Sequence, residues 1–233
     1  YDRAVAPGDW FPNYVCTYLE RDVRQLLAVR DLVLFQRFLR LCAARTGQLL
    51  NLSSLGADCG ISHATAREWL TVLEASYVVM RLPPYHRNFG KRLVKTPKLY
   101  FLDVGLAAWL LGIRDADTAG VHAQRGALFE TLVVSEFAKR RFHSGRTAEL
   151  FFWRDSAGHE VDLLFETPRG LQAVEIKSGA TFAADWLDSL RRWQALPGID
   201  TCTPWVVYGG EHSHTRETAE LIGWRDLAQT TLG

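Results

Sequence analysis

Apolar residues recur at intervals of three and four along the first part of the chain: Val15, Leu19, Val23, Leu26 and Leu27, then Leu32, Leu34, Phe35, Phe38, Leu39 and Leu41. That spacing predicts two or three amphipathic helices between Asn13 and Ala44. A short helix opens at Asn51, Cys59-Gly60-Ile61-Ser62 reads as a turn, and Ser62 is placed to cap a helix carrying Trp69, Leu70, Val72 and Leu73. Residues 77–82 and 99–102 then read as two strands around the breaker Pro83-Pro84, and Asp103 is placed to cap a helix from Gly105 to Leu111. Helix, glycine-containing turn, helix and strand pair is the grammar of a winged helix.

The polar stretch from Gly112 to Gln124 reads as a linker. Beyond it, Leu128, Phe129, Leu132, Val133, Val134 and Phe137 predict a helix from Arg125 to about Phe142. Between Glu160 and Lys177 the period changes to two on either side of Thr167-Pro168-Arg169-Gly170. This predicts an antiparallel hairpin turning at Pro168 and Arg169, with Asp162 opposite Glu175 and Glu160 opposite Lys177. A helix from Asp185 to Leu196 and an apolar strand, Trp205-Val206-Val207-Tyr208, complete the pattern. That strand suits a covered central position in a mixed sheet. The fold class expected is α/β (α+β). A helical segment is expected over 1–44, a winged helix over 45–114, and a second α/β domain over 115–233.

The 233 residues, 48% hydrophobic and 23% charged, suit a soluble globular chain. A formal charge of +1 provides no global field for nucleic acid, so any such signal must be local. It is local: between Ala75 and Leu102 there is no acid, while Arg81, Arg87, Lys91, Arg92, Lys95 and Lys98 are all basic. With Arg67 on the second helix, Arg87, Lys91, Arg92 and Lys95 are the candidate phosphate contacts of a winged helix, against the alternatives of a solvated loop or a protein-binding wing. Cys16, Cys42, Cys59 and Cys202 form no C-x-x-C, and free thiols in a reducing, cytoplasmic setting are expected. No apolar run reaches membrane-spanning length. A chain opening on Tyr1 is expected to be part of something longer. Glu211-His212-Ser213-His214 reads as a loop rather than a metal cluster.

The hairpin is where chemistry concentrates. Its expected register puts Val161, Leu163, Phe165, Val174 and Ile176 on one face and Glu160, Asp162, Glu175 and Lys177 on the other. Two carboxylates directly across a ladder repel. A divalent cation such as Mg²⁺ compensates them, and Lys177 beside it is suited to orient a water and stabilise charge on a phosphate. The plainer reading is a solvated face with a Glu160–Lys177 pair.

Asp162 followed by Glu175-Ile176-Lys177, behind the helical Gly126-Ala127-Leu128-Phe129-Glu130, resembles the PD-(D/E)XK nuclease superfamily. More narrowly, Leu150-Phe151-Phe152-Trp153-Arg154-Asp155 leading to Glu160-Val161-Asp162, with Lys98-Leu99-Tyr100-Phe101-Leu102-Asp103-Val104-Gly105-Leu106, resembles the C-terminal region of a family of prokaryotic AAA+-type ATPases. The resemblance implies that Glu130, Asp162 and Glu175 hold Mg²⁺ or Mn²⁺ and that Lys177 positions the attacking water. Glu136 is the alternate acid, about 240° from Glu130 around the helix. Gln194 is a further polar candidate on the next helix, and Val161 stands where the superfamily usually has proline. No Gly-x-x-x-x-Gly-Lys-[Ser/Thr] is present, so ATP is expected only in an ATPase module upstream of this sequence. The function expected is metal-dependent cleavage of DNA. The alternative is a non-catalytic DNA- or protein-docking region of the ATPase.

Overall fold

The computed structural model describes residues 7–15, 17, 31–85, 94–197, 200–216 and 218–230. Most of the amphipathic stretch expected between Val15 and Leu27, and the basic residues Arg87, Lys91 and Arg92, lie outside the described residues. The chain divides into two units, one of 1–81 with 98–131 and one of 82–97 with 132–233. This division takes residues 82–97 out of the span expected to form the wing, and it passes through a long helix rather than the polar stretch before it.

In the first unit, helix α1 (Pro7–Tyr14) and helix α2 (Leu32–Ala43) precede helix α3 (Leu52–Cys59) and helix α4 (His63–Ala75). Their ends follow from capping chemistry. The side chains of Asp31, Asn51 and Ser62 accept the backbone N–H groups of Leu34, Ser54 and Thr65 at 3.0, 2.9 and 3.0 Å. Gly60 closes α3 in the left-handed conformation at φ 82°. The apolar stripes meet around Trp69, whose ring stands edge-on to Phe35 and Phe38 at 5.4 Å each.

Strand β1 (Val79–Leu82) and strand β2 (Lys98–Phe101) form a two-stranded sheet. Helix α5 (Val104–Leu110) begins on Asp103, whose Oδ1 accepts Leu106 N–H at 3.0 Å, as the sequence predicts. The expected linker instead contains helix α6 (Ala116–Val121), capped by Asp115 and with no buried residue. Local capping alone starts this turn and a half, which is why no apolar period announces it. Helix α7 (Arg125–His143) then runs through the division between the units.

The second unit is built on a six-stranded mixed sheet of order β3-β4-β5-β6-β8-β7. Its strands are β3 (Leu150–Arg154), β4 (Glu160–Thr167), β5 (Gly170–Lys177), β6 (Trp205–Tyr208), β7 (His214–Arg216) and β8 (Ala219–Gly223). The β5–β6 and β6–β8 pairs are parallel, and the other three are antiparallel. Strand β6 is central with Val206 and Val207 fully buried, the position its apolar run predicts. A short 3-10 turn (Ala184–Leu187) leads into helix α8 (Asp188–Gln194); Leu187 of the turn and Leu190 and Trp193 of the helix pack with Leu164, Ala173 and Val206. In the same unit Phe137 of α7 meets Phe165 at 5.5 Å, and Phe165 meets Trp205 at 6.0 Å.

Candidate functional site

The β4–β5 hairpin has the register its turn dictates: Leu163 pairs with Val174, Leu164 with Ala173, Phe165 with Gln172, Glu166 with Leu171 and Thr167 with Gly170. Gly170 adopts φ 122°, a conformation open to glycine at this turn. Beyond Leu163 the side chain of Asp162 enters the ladder, its Oδ2 accepting Ile176 N–H at 2.7 Å. A charge-assisted bond of this kind fixes the carboxylate where the two strands cease ordinary pairing.

The reason lies on the other edge of β4. Phe151 pairs with Leu164 but Trp153 pairs with Val161, so Asp162 and Leu163 together face the single residue Phe152. This is a β-bulge, which resets the alternation of side chains. Val161 accordingly packs in the same cluster as Leu164, Leu171 and Ala173, correcting the expectation that Val161, Leu163 and Phe165 share a face. Asp162 is re-aimed by the same extra residue. Segment 83–85 lies beyond the bulge, with Phe152 N–H donating to Pro83 O at 3.1 Å and Tyr85 N–H to Phe152 O at 2.7 Å.

Glu175 and Lys177 leave β5 two residues apart and therefore on one side of it. Lys177 Nζ lies 2.6 Å from Glu175 Oε1. Glu160 pairs with Arg154 at 3.2 Å. Glu175 is buried to 5% exposure, and Asp162 and Glu160 are half-buried. Glu160 and Asp162 bring carboxylate oxygens within 4.8 Å of each other. Their donor set is all oxygen and anionic, which fits a hard divalent cation. Glu160 was recognisable from the sequence as a member of the charged face but not as a candidate ligand, because the resemblance attaches no role to its position.

Next to Glu160 the turn is rigidly built. Asp155 accepts the backbone N–H groups of Ala157 and His159 at 2.9 and 3.0 Å and meets His159 Nδ1 at 3.0 Å. Burial pushes the Asp155 carboxyl up, but the bonds from His159 and Ala157 outweigh it and leave the group below the usual range.

Glu130 belongs to the first unit, whereas Asp162, Glu175 and Lys177 belong to the second. Within the first unit Glu130 Oε1 accepts from Lys98 Nζ at 2.8 Å and from the Tyr100 hydroxyl. Lys98 is thus a buried ion-pair partner and not part of an exposed basic patch. Arg81 is likewise engaged, with Glu74 at 2.5 Å. Arg67 and Lys95 are exposed, the former on α4 and the latter in the second unit. Glu136 pairs with Lys139 at 2.8 Å on the surface of α7, and Gln194 ends α8 half-buried. Among the described residues Cys42, Cys59 and Cys202 are free thiols, and burial pushes the Cys42 thiol far up. No helix among those residues is long and apolar enough to cross a membrane.

Residues 2–117 match the family model "Domain of unknown function (DUF8612)" and residues 125–227 match "Domain of unknown function (DUF4143)". The interval between the two matches lies within the polar stretch from Gly112 to Gln124. An uncharacterised protein of Mycobacterium bovis and one of Mycobacterium tuberculosis are each 32% identical to the chain over 203 residues. The alignment covers 87% of this chain and 44% of each relative, so the chain spans less than half the length of the curated relatives it matches.

Proposed function

We propose that the chain is a metal-dependent phosphodiesterase region acting on DNA, within a polypeptide that also carries an AAA+-type ATPase. The observation that carries the reading is Asp162, held by Ile176 N–H at a bulge beside Glu160 and ahead of the Glu175–Lys177 pair. A hairpin made only to fold gains little from three acids gathered where its ladder opens. Asp162, Glu160 and Glu175 are the carboxylates suited to Mg²⁺ or Mn²⁺. A divalent cation held by such oxygens supplies Lewis acidity toward a phosphate and an activated water. Lys177 is the residue to orient that water and to neutralise charge developing on the phosphoryl oxygens. The resemblance assigns Glu130 a ligand role, and a Glu130→Gln variant titrated with Mn²⁺ beside the wild type decides that assignment.

Helices α3 and α4 with β1 and β2 support a winged-helix reading, in which exposed Arg67 on α4 contacts phosphate. Lys95 is a second exposed candidate, while Arg87, Lys91 and Arg92 keep the role their charges imply. The ATPase association rests on the sequence resemblance, and the extra length of the relatives leaves room for such a module. A docking region without chemistry is the second reading. It is favoured by α4 itself, which exposes Glu68 beside Arg67.

Titration of Mn²⁺ into the purified chain, in parallel with the Asp162→Asn/Glu175→Gln double variant, separates them. Binding in the wild type that vanishes in the double variant is expected, followed by metal-dependent cutting of DNA that Lys177→Ala abolishes. Absence of binding with and without added DNA, or full cutting by the variants, would overturn the reading in favour of docking.

A further inference from the structure

Strand β6 pairs in parallel with β5 so that Tyr208 lies opposite Lys177. Partners in register project to the same side of a sheet, which puts the Tyr208 ring on the lysine's side. Around that ring stands a set of aromatic and cationic side chains, all in the second unit. Trp186 lies 6.3 Å from Tyr208, Phe182 meets Trp186 edge-on at 5.8 Å, and the His214 ring stands at 84° to Tyr208 at 6.0 Å. The Arg216 guanidinium lies over the Phe182 ring at 5.4 Å.

The segment carrying His212 and His214 is held in place from several directions. Tyr208 hydroxyl donates to His212 O at 2.7 Å, Ser213 Oγ donates to Asp226 at 2.6 Å, and Gly223 N–H donates to Ser213 Oγ at 3.0 Å. His214 and Arg216 are the two ends of edge strand β7, whose three residues are all exposed. Being two apart, they share one side of the strand at a separation of about 7 Å. The acid next to this segment, Glu211, is turned to Arg225 at 3.5 Å.

We propose that this strip is the platform for single-stranded DNA entering the site at Lys177, an inference that rests on the nuclease reading and specifies its substrate. Stacking on rings and guanidinium planes needs base faces that are free of a partner base, which single strands offer along their length and duplexes bury. The exposed Arg216 guanidinium supplies the attraction to phosphate. The strip offers the exposed His214 ring and Arg216 guanidinium beside the half-buried Phe182 and Trp186 rings, with Tyr208 itself buried, and these planes carry the chemistry of sequence-tolerant strand binding.

The test is fluorescence anisotropy with a labelled oligothymidylate of about 20 nucleotides and a duplex of equal length, in EDTA. The single strand is expected to bind about tenfold tighter than the duplex, and Arg216→Ala and His214→Ala each to weaken it several-fold, with Thr215→Ala unchanged. Both variants alter exposed side chains, and circular dichroism melts check that the fold is retained. Equal affinity for the two probes, or variants that bind like the wild type, would overturn the platform. Because binding is read without metal, the two ideas fail separately. A single-strand preference with no Mn²⁺ binding at the hairpin sinks the nuclease reading alone, and Mn²⁺ binding without that preference sinks the platform alone.

Discussion

Lys98 Nζ lies 2.8 Å from Glu130 Oε1, with the lysine side chain 4% and the glutamate 18% exposed. An ammonium this deeply buried must be compensated, because removing one partner strands the other charge. Glu130→Gln is therefore expected to lower the unfolding free energy by about 2–4 kcal/mol in urea denaturation. Changing both residues, as Lys98→Met/Glu130→Gln, is expected to recover much of the loss. Additive losses in that cycle would show that the two charges are not coupled.

The side chain of Asp162 has two separable tasks. As an acceptor it caps Ile176 N–H, and as an anion it stands beside Glu160. Asparagine retains an acceptor oxygen while losing the charge, so Asp162→Asn is expected to cost under about 1 kcal/mol of stability yet to remove Mn²⁺ binding. Asp162→Ala loses both, at about 1–3 kcal/mol for the exposed backbone donor. Equal stability of the two variants by thermal melting would remove the capping role.

The hairpin was legible in the sequence because three independent signals agree on it: period-two alternation, a Pro/Gly turn, and charges at matching offsets. Register follows from those, and the pairs from Leu163–Val174 to Thr167–Gly170 are the ones the turn requires. The bulge was not legible, since one extra residue facing Phe152 changes no composition and appears only against a partner strand. Lys98 illustrates another limit. Read along the chain it is one of a run of bases, and the acid that neutralises it lies on a helix whose tertiary position no local pattern reports. Helix caps lie at the opposite extreme: Ser62 and Asp103 act within three residues of themselves and were readable directly.

Gly170 sets the hairpin by backbone conformation. Its φ is 122°, and a Cβ there would lie 2.6 Å from Asp200 O, a backbone atom with no rotamer to relieve the clash. Gly170→Ala is expected to destabilise the chain by about 2–3 kcal/mol through left-handed strain and overpacking together. Hydrogen exchange should locate the loss at β4 and β5, raising exchange at Leu171 N–H, which donates to Asp200 O at 2.8 Å. Unchanged protection at Leu171 in the variant would contradict this account.

Asp155 ties the turn before Glu160 to the pH of the solution. Its carboxyl is held below the usual range because the bonds from His159 and Ala157 outweigh the opposing effect of burial. A carboxyl depressed in the folded state contributes stability that is fully present above its unfolded pKa and is lost as pH falls through the folded one. The wild type is therefore expected to lose stability below about pH 4. Asp155→Asn is expected to be less stable at neutral pH by about 1–2 kcal/mol and to show a shallower acid limb, since the titrating group is gone. Denaturant melts at pH 7 and pH 3 read both quantities, and a variant whose deficit is the same at the two pH values would rule out the ionised carboxylate as the source of the turn's stability.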